Sequence, residues 1–313
     1  MTKILITAYE NPDLDGTACA FAYAEFLNHI NESENQAIAA TFGQPEPEAQ
    51  FVFSTFLIPD MQSGEKLIDS SSQIILVDAS DKNGLARQID VCKIVEIIDH
   101  RKITQAHAFP NAKIQIELVG AAATLIAEKF FEKKLEPSTH SAALLYSAIV
   151  SNTINFKAKV TTERDTKMAE WLLTRFALPQ NFVNDMFAHK SQFTRPIIEI
   201  MRSELATSFG GYPLAISQLE IVDAQQFVEK HLDEIKNALA LIQQELKSKY
   251  IFLTIIDIEK TFNLFVCNDK NTQTLIESAL DVKFDNNIAK YNDIIMRKEI
   301  VPILIEKLSK SVN

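Results

Sequence analysis

Short apolar runs alternate with helical patterns through the first half of the chain. Three of these runs have the length of a strand and are rich in β-branched residues, namely Ile4–Thr7, Ile74–Asp78 and Ile94–Asp99. Apolar residues at the three-to-four spacing of a helix occur in the segments 16–30, 120–134 and 163–176. Strands and helices that alternate in this way form right-handed crossovers and a mainly parallel sheet, and a sheet covered on both faces requires apolar strands. We therefore expect an α/β fold that begins with a parallel-sheet domain.

The pattern changes after about residue 186. The segment His189–Pro196 is polar and contains a proline, which predicts a linker. The elements expected beyond it are the strands Leu214–Glu220, Tyr250–Asp257 and Asn263–Asn268 and a long helix with apolar residues from Val228 to Leu246 on one face. The sequence thus predicts two domains, residues 1–186 and residues 192–313, of which the second is a smaller mixed α/β domain.

The composition excludes several classes of protein. Hydrophobic residues make up 47% and charged residues 23% of the 313 residues, which excludes a disordered or collagen-like chain. The net charge of −10 disfavours a nucleic acid polymer or an anionic membrane as partner. Cys19, Cys92 and Cys267 belong to no pairing motif, and no apolar stretch reaches the ~20 residues of a membrane span or the pattern of a signal peptide. We expect a cytoplasmic protein.

Acidic residues follow the three predicted strands. Asp13 and Asp15 come after the first strand, Asp78 ends the second, and Asp99 and His100 end the third. In an open α/β sheet, ligands bind at the carboxyl ends of the strands, and carboxylates with an imidazole suit Mn²⁺ or Mg²⁺. An Asp at a single strand end is more often a helix cap or a turn former. Three such ends in one short stretch of chain favour a metal site.

Six short motifs also follow one another in an order that is specific, although each motif alone is short. They are Asn11-Pro-Asp-Leu-Asp15, Leu76-Val-Asp78, Ile98-Asp-His-Arg101, Ala148–Phe156, Ala215–Glu220 and Met296–Pro302. Together they resemble the DHH phosphoesterase superfamily, and the last two resemble the family II (manganese-dependent) inorganic pyrophosphatases and their exopolyphosphatase relatives. The resemblance spans residues 4 to about 303. It implies a DHH phosphoesterase domain, a C-terminal substrate-binding domain, and an active site in the cleft between them.

Residue by residue, the resemblance implies a metal centre. Asp13, Asp15, Asp78 and His100 match family metal ligands and are the expected catalytic residues, and Asp78 matches the carboxylate that bridges two ions. Asn152 stands where the family has a further metal-binding Asp. Asp15, Asp78, His100 and Asn152 would hold one ion, and Asp13 with Asp78 would hold the other.

The sequence also departs from the family pattern. Tyr9 stands where the family has a metal-binding His, and Arg101 replaces the second His of the Asp-His-His triplet, which contacts phosphate in the family. With Tyr9 in place of His and Asn152 in place of Asp, the centre loses one imidazole and one negative charge, which predicts weaker metal binding. Arg297 and Lys298 match the basic pair of the second domain, so Arg101, Arg297 and Lys298 are the expected substrate-binding residues. The alternative is that Arg297 and Lys298 are solvated residues at the end of a strand.

The resemblance finally implies a reaction. It is the hydrolysis of a phosphoanhydride, inorganic pyrophosphate or a short polyphosphate, by a metal-bound hydroxide, with one or two Mn²⁺ (or Mg²⁺) ions as cofactor. The expected partners are a small phosphoanion and a second copy of the chain in a homodimer. Two alternatives remain. One is a weakened or inactive homologue that binds a phosphoanion, and the other is a nucleotide phosphodiesterase, as in other branches of the superfamily.

Overall fold

The computed structural model describes residues 3–30, 36–69, 72–101, 105–193, 195–207, 209 and 211–310. They form two compact units. One unit comprises the chain up to Phe156 together with Val160–His189, and the other comprises Lys157–Lys159 and the chain from Lys190 onward. Within the described ranges, no helix combines the length and the apolarity needed to cross a membrane. The roles expected for residues 1–186 and 192–313, a phosphoesterase domain and a substrate-binding domain, stay predictions.

A parallel sheet of six strands forms the centre of the first unit. Its strands are β1 (Lys3–Thr7), β2 (Gln36–Thr41), β3 (Gln62–Ser63), β4 (Gln73–Val77), β5 (Ile94–Asp99) and β6 (Lys113–Ile116). They lie in the order β3-β2-β1-β4-β5-β6, and all five pairings are parallel. The three strands expected from the sequence are the adjacent strands β1, β4 and β5. Their carboxyl ends therefore lie side by side at one edge of the sheet.

Seven α-helices belong to the described part of this unit. They are α1 (Leu14–Ile30), α2 (Pro47–Phe56), α3 (Gly64–Leu67), α4 (Ala122–Lys133), α5 (Thr139–Asn152), α6 (Glu163–Leu173) and α7 (Phe182–Lys190). The helices expected from the sequence are α1, α4 and α6. Helix α5 is buried all round from Ser141 to Ser151, which makes it a core helix between its neighbours. Its last residue is Asn152, so this core helix carries one of the expected metal ligands.

The second unit contains a mixed sheet. Its strands are β7 (Leu205–Ala206), β8 (Leu214–Ile221), β9 (Tyr250–Asp257), β10 (Phe262–Val266), β11 (Phe284–Asp285) and β12 (Ile288–Tyr291), in the order β11-β12-β10-β9-β8-β7. Only β8 and β9 pair in parallel among these strands. The helices are α8 (Ile197–Ser203), α9 (Ala224–Leu246), α10 (Lys270–Leu280) and α11 (Arg297–Lys310). The expected mixed α/β architecture is confirmed.

One expectation about this unit is wrong. The alternative for Arg297 and Lys298 placed them at the end of a strand, but they begin helix α11. The physical reason is the spacing of the apolar residues that follow. Ile300, Val301, Leu304 and Leu308 are buried and lie three to four residues apart, which is the period of a helix with one face in the core.

Candidate metal centre

Three side chains of the first unit converge at the carboxyl edge of its sheet. Asp15 lies in the first turn of α1, Asp78 directly follows β4, and His100 directly follows β5. One ligand atom from each lies within 4.8 Å of the others. His100 Nε2 is 3.4 Å from Asp78 Oδ1 and 3.8 Å from Asp15 Oδ2. The structure thus brings together three of the residues expected at the site, and their part in catalysis stays a prediction.

Asp78 reaches this position through an uncommon backbone conformation. Its φ is 50°, in the left-handed region that residues with a Cβ rarely adopt. Its N–H donates a hydrogen bond of 2.8 Å to the carbonyl of Ile98 on the neighbouring strand. Strained conformations of this kind persist where the surroundings hold them, and they cluster at functional sites. The turn after β4 therefore directs this carboxylate, which is 2% exposed, toward His100.

The His100 ring is oriented by a backbone carbonyl. Nδ1 lies 2.9 Å from the carbonyl oxygen of Val119, which can only accept, so Nδ1 carries the proton and donates it. In the neutral ring, Nε2 then has the free lone pair, and this nitrogen faces the two carboxylates. A hydrogen bond that fixes the tautomer in this way is typical of metal-binding histidines.

The Asp15 carboxylate accepts from four donors. The N–H groups of Ala122 and Ala123, at the start of α4, donate to its two oxygens at 2.8 Å each. The Asn152 amide donates to Oδ2 at 2.6 Å, and the Cys19 thiol donates to Oδ1 at 3.4 Å. A carboxylate offers about four acceptor positions. One donor must therefore give way before Asp15 can bind an ion, and Asn152 occupies the same oxygen that faces His100 Nε2.

Negative charge is concentrated around these ligands. Burial, together with the nearby carboxylates of Asp78 and Asp15, raises the pKa of Asp13 to about 7. Burial and Asp78 also raise the pKa of Asp15 to about 6, although His100 and the two N–H groups of α4 act in the opposite direction. Asp13 itself accepts a hydrogen bond of 2.8 Å from the Gly16 N–H. Burial and mutual repulsion make it unfavourable for these carboxylates to be charged at the same time. A bound cation offsets that repulsion, so the cluster favours the binding of a cation.

Arg101 lies among these carboxylates. Its NH1 group donates to the Tyr9 hydroxyl at 2.8 Å, and its NH2 group donates to Asp78 Oδ2 at 3.4 Å. NH1 is also 3.6 Å from Asp99 Oδ2. The Tyr9 hydroxyl in turn donates to Asp81 at 3.2 Å, and burial raises the pKa of this phenol, which keeps it neutral. The substrate-binding role expected for Arg101 stays a prediction, and its side chain is 33% exposed.

The residues present fit one divalent ion. Two carboxylates and one imidazole nitrogen, with excess negative charge around them, form a ligand set suited to Mn²⁺ and, with more oxygen ligands or water, to Mg²⁺. The second ion expected at Asp13 and Asp78 stays a prediction. On that side, Asp78 Oδ2 faces the Arg101 guanidinium, and the oxygen of Tyr9 already accepts from it.

Arg297, the first residue of the basic pair, contacts other residues of its own unit. The Arg297 guanidinium donates to the backbone carbonyls of Glu204 and Ile216, and the Arg297 N–H donates to the Gln218 side chain. Lys298 is exposed in the first turn of α11. That both face a substrate together with Arg101 stays a prediction.

Asp165 is an important residue that the sequence analysis does not single out. It is fully buried and accepts hydrogen bonds from the Gly120 N–H, the Thr124 hydroxyl, and both the N–H and the hydroxyl of Thr162. It thereby holds the turn before α4 in place. The one signal in the sequence is the capping box formed by Thr162 and Asp165, which predicts the start of α6 but not the contact with Gly120, 45 residues away.

This turn, residues 119–123, forms hydrogen bonds with two of the expected metal ligands. The carbonyl of Val119 accepts from His100, and the N–H groups of Ala122 and Ala123 donate to Asp15. Gly120 permits its close packing, since a Cβ there would lie 2.5 Å from the Thr153 side chain. We call residues 119–123 the orienting turn.

Replacing Asn152 with Asp is expected to raise the affinity for Mn²⁺ about tenfold or more. The substitution exchanges a donor that occupies Asp15 for a second negative charge at nearly constant volume, and each tenfold change corresponds to about 1.4 kcal/mol. Calorimetric titration of the metal-free protein measures this. Asn155→Asp, which adds the same charge at an exposed position nearby, is the control. An unchanged affinity in a folded Asn152→Asp variant would contradict the expectation.

Comparisons with known proteins find relatives along nearly the whole chain. Residues 3–149 match the profile of the DHH family, N-terminal domain. A probable manganese-dependent inorganic pyrophosphatase of Clostridium acetobutylicum is 29% identical over 308 residues, which cover 96% of each chain. The manganese-dependent inorganic pyrophosphatase of Bacillus subtilis is 26% identical over 99% of this chain and 100% of its own.

Solved structures give the same result. A Methanococcus jannaschii protein described as a family II inorganic pyrophosphatase superposes with a TM-score of 0.79 at 28% identity, covering 97% of this chain and 98% of its own. An exopolyphosphatase-related protein from Bacteroides fragilis, at 13% identity and a TM-score of 0.50, shares the fold, with coverage of 99% and 92%. The resemblance seen in the sequence motifs is confirmed. Residues 3–149 match the DHH family's N-terminal domain, and the chain is similar, along nearly its whole length, to proteins named manganese-dependent inorganic pyrophosphatases.

Proposed function

We propose that this protein hydrolyses inorganic pyrophosphate or a short polyphosphate in a reaction that depends on Mn²⁺ or Mg²⁺. The observation that carries the proposal is the group of Asp15, Asp78 and His100, whose ligand atoms lie within 4.8 Å of one another at the carboxyl edge of the sheet. Support comes from relatives that carry the name manganese-dependent inorganic pyrophosphatase and match over nearly the whole chain.

In this proposal each residue of the centre has a defined task. Asp15, Asp78 and His100 hold the ion, with Asp13 and Asn152 beside them. A bound divalent ion would lower the pKa of a coordinated water molecule and polarise a phosphoryl oxygen. The orienting turn keeps the His100 ring in the tautomer whose Nε2 faces the carboxylates, and it keeps Asp15 in place through two N–H groups.

Three cations are proposed to bind the phosphate groups. The guanidinium of Arg101 is a permanent positive charge with N–H donors that match phosphate oxygens in geometry. Its side chain is 33% exposed, so part of it remains accessible beside the carboxylates. Arg297 and Lys298 of the second unit would neutralise the charge that develops on the leaving phosphate.

The experiment is phosphate release from pyrophosphate and from tripolyphosphate, with the metal-free protein and with added Mn²⁺ or Mg²⁺. Release that requires the metal supports the proposal. Binding of pyrophosphate without turnover would instead support the inactive phosphoanion-binding homologue. Turnover of a linear dinucleotide, with pyrophosphate left intact, would support a nucleotide phosphodiesterase.

Reversing the charge of Lys298 is expected to raise the KM for pyrophosphate about tenfold. A hydrogen bond to a charged group contributes about 1.5–3 kcal/mol, and the Lys298→Glu substitution both removes the cation and adds repulsion. Lys298 is exposed at the start of α11, so the thermal midpoint should change little. Lys310→Glu, at the exposed end of the same helix, is the control. A KM equal to that of the control would remove Lys298 from the substrate site.

A further inference from the structure

We propose that the centre binds a single divalent ion and that the Arg101 guanidinium, held by Tyr9, is a built-in cation in the place of a second ion. This rests on the proposed function for the identity of the site, since it concerns how the same carboxylates are neutralised. It departs from the two-ion centre that the family resemblance implies.

The first observation is that the two carboxylate oxygens of Asp78 face different neighbours. Its Oδ1 faces His100 Nε2 at 3.4 Å, on the side of the ligand group that includes Asp15. Its Oδ2 faces Arg101 NH2, also at 3.4 Å. Asp78 matches the family carboxylate that bridges two ions, and here it bridges between the single-ion ligand group and a guanidinium. The bridging geometry is thus present with an arginine as one of its two partners.

The second observation is that Arg101 is anchored. The Tyr9 hydroxyl accepts from NH1 at 2.8 Å and donates to Asp81 Oδ2 at 3.2 Å. NH1 also lies 3.6 Å from Asp99 Oδ2, a buried oxygen that has no hydrogen-bond partner among the described residues. The side chain in the position of a family metal ligand therefore uses its oxygen to hold the guanidinium.

The fold makes room for this pair. Gly84 has a φ of 82°, which favours glycine, and a Cβ at this position would lie 3.1 Å from Cδ1 of the Tyr9 ring. The Gly84 carbonyl accepts a hydrogen bond of 2.8 Å from the N–H of Glu10, next to Tyr9. The loop after β4 is thus shaped around the tyrosine ring. Tyr9 and Arg101 form a packed unit of the site.

The charges agree with one ion. Asn152 in place of a carboxylate removes one negative charge from the family pattern. A guanidinium in place of a divalent ion removes one positive charge. The two departures therefore leave the local balance of charge unchanged, and a second ion would add positive charge beside the guanidinium that already contacts Asp78 and Asp99. Like charges placed this close destabilise one another.

The test uses the full-length, metal-free protein and Mn²⁺ alone. Calorimetric titration should show one Mn²⁺ per chain, and the electron paramagnetic resonance spectrum should be that of an isolated ion. Two ions per chain, or the spectrum of an exchange-coupled pair, would overturn the proposal. Neither readout depends on turnover. One bound ion without phosphate release would leave this inference standing and refute the proposed function, whereas two ions with release would do the reverse.

A double substitution gives an independent test. Tyr9→His together with Arg101→His removes the guanidinium and supplies two imidazoles, so a second Mn²⁺ should bind and couple magnetically to the first. Arg101→Lys, which keeps a cation, is the matched control and should still bind one. Circular dichroism and a metal-free thermal melt show whether each variant is folded. A folded double variant that still binds a single ion would overturn the role given to Arg101, and if it does not fold, the wild-type stoichiometry and spectrum decide.

Discussion

Replacing His100 with Ala is expected to lower the affinity of the centre for Mn²⁺ by about 100-fold or more and to reduce metal-dependent phosphate release accordingly. Loss of a residue that merely orients a metal ligand typically costs about 10- to 100-fold, and His100 supplies the ligand atom itself. Its Nε2 faces both carboxylates, and without it Asp15 and Asp78 alone remain of the ligand group. Calorimetric titration with Mn²⁺ measures the affinity directly.

A control separates this effect from a general loss of histidine. His107 is exposed in the short helical turn Ala106–Ala108 of the same unit, so His107→Ala should bind Mn²⁺ as the wild type does. If His100→Ala folds and retains its affinity for Mn²⁺, the group of Asp15, Asp78 and His100 is not the metal centre. The proposed function would then lose the observation that carries it.

Replacing Asp165 with Asn is expected to lower the free energy of unfolding by about 3 kcal/mol or more. The buried carboxylate accepts from Gly120, Thr124 and Thr162, and an amide would present N–H groups to several of these donors. A hydrogen bond to a charged group contributes about 1.5–3 kcal/mol, and a buried donor left without an acceptor costs about 1–3 kcal/mol. Urea denaturation of the metal-free protein measures the loss. Since the orienting turn depends on Asp165, the affinity for Mn²⁺ should fall as well.

Glu163→Gln is the control for the charge at the start of α6. Glu163 is exposed in the same first turn, so its loss tests the contribution of the helix dipole alone, about 0.3–1 kcal/mol. A loss for Asp165→Asn no larger than that of the control would mean that the contacts with Gly120 and Thr124 contribute little. Affinity for Mn²⁺ equal to that of the wild type would show that the orienting turn holds without Asp165.

The central strands could be predicted because they obey a simple physical rule. Strands β1, β4 and β5 lie inside a sheet with helices over it, so each contains a run of apolar residues that stands out in the sequence. Strand β6 has the pattern Lys-Ile-Gln-Ile and lies at the edge of the sheet, and β3 has only two residues, too few to show any period. Helix α5 is buried all round, so no polar face marks its period. Local pattern therefore identifies the centre of the fold better than its edges.

The candidate site, too, could be predicted from the sequence only in part. The proximity of Asp15, Asp78 and His100 follows from the strand ends, because parallel strands end at a common edge. The side-chain conformations of Arg101 and Asn152 depend on distant contacts. Arg101 contacts Tyr9, which is 92 positions away, and Asn152 contacts Asp15, which is 137 positions away. No periodicity in the sequence encodes such pairs. They require the packing of the whole unit.

The orienting turn has a consequence for how mutations in this site combine. Val119 fixes His100, and Ala122 and Ala123 fix Asp15, through one continuous stretch of backbone. Loss of either ligand releases part of that backbone, so the remaining ligand is already less well held when it is lost in turn. The energetic effect of losing both ligands is therefore smaller than the sum of the effects of losing each one alone, as for residues that share one network. His100 and Asp15 thus form a single thermodynamic unit, although 85 positions separate them along the chain.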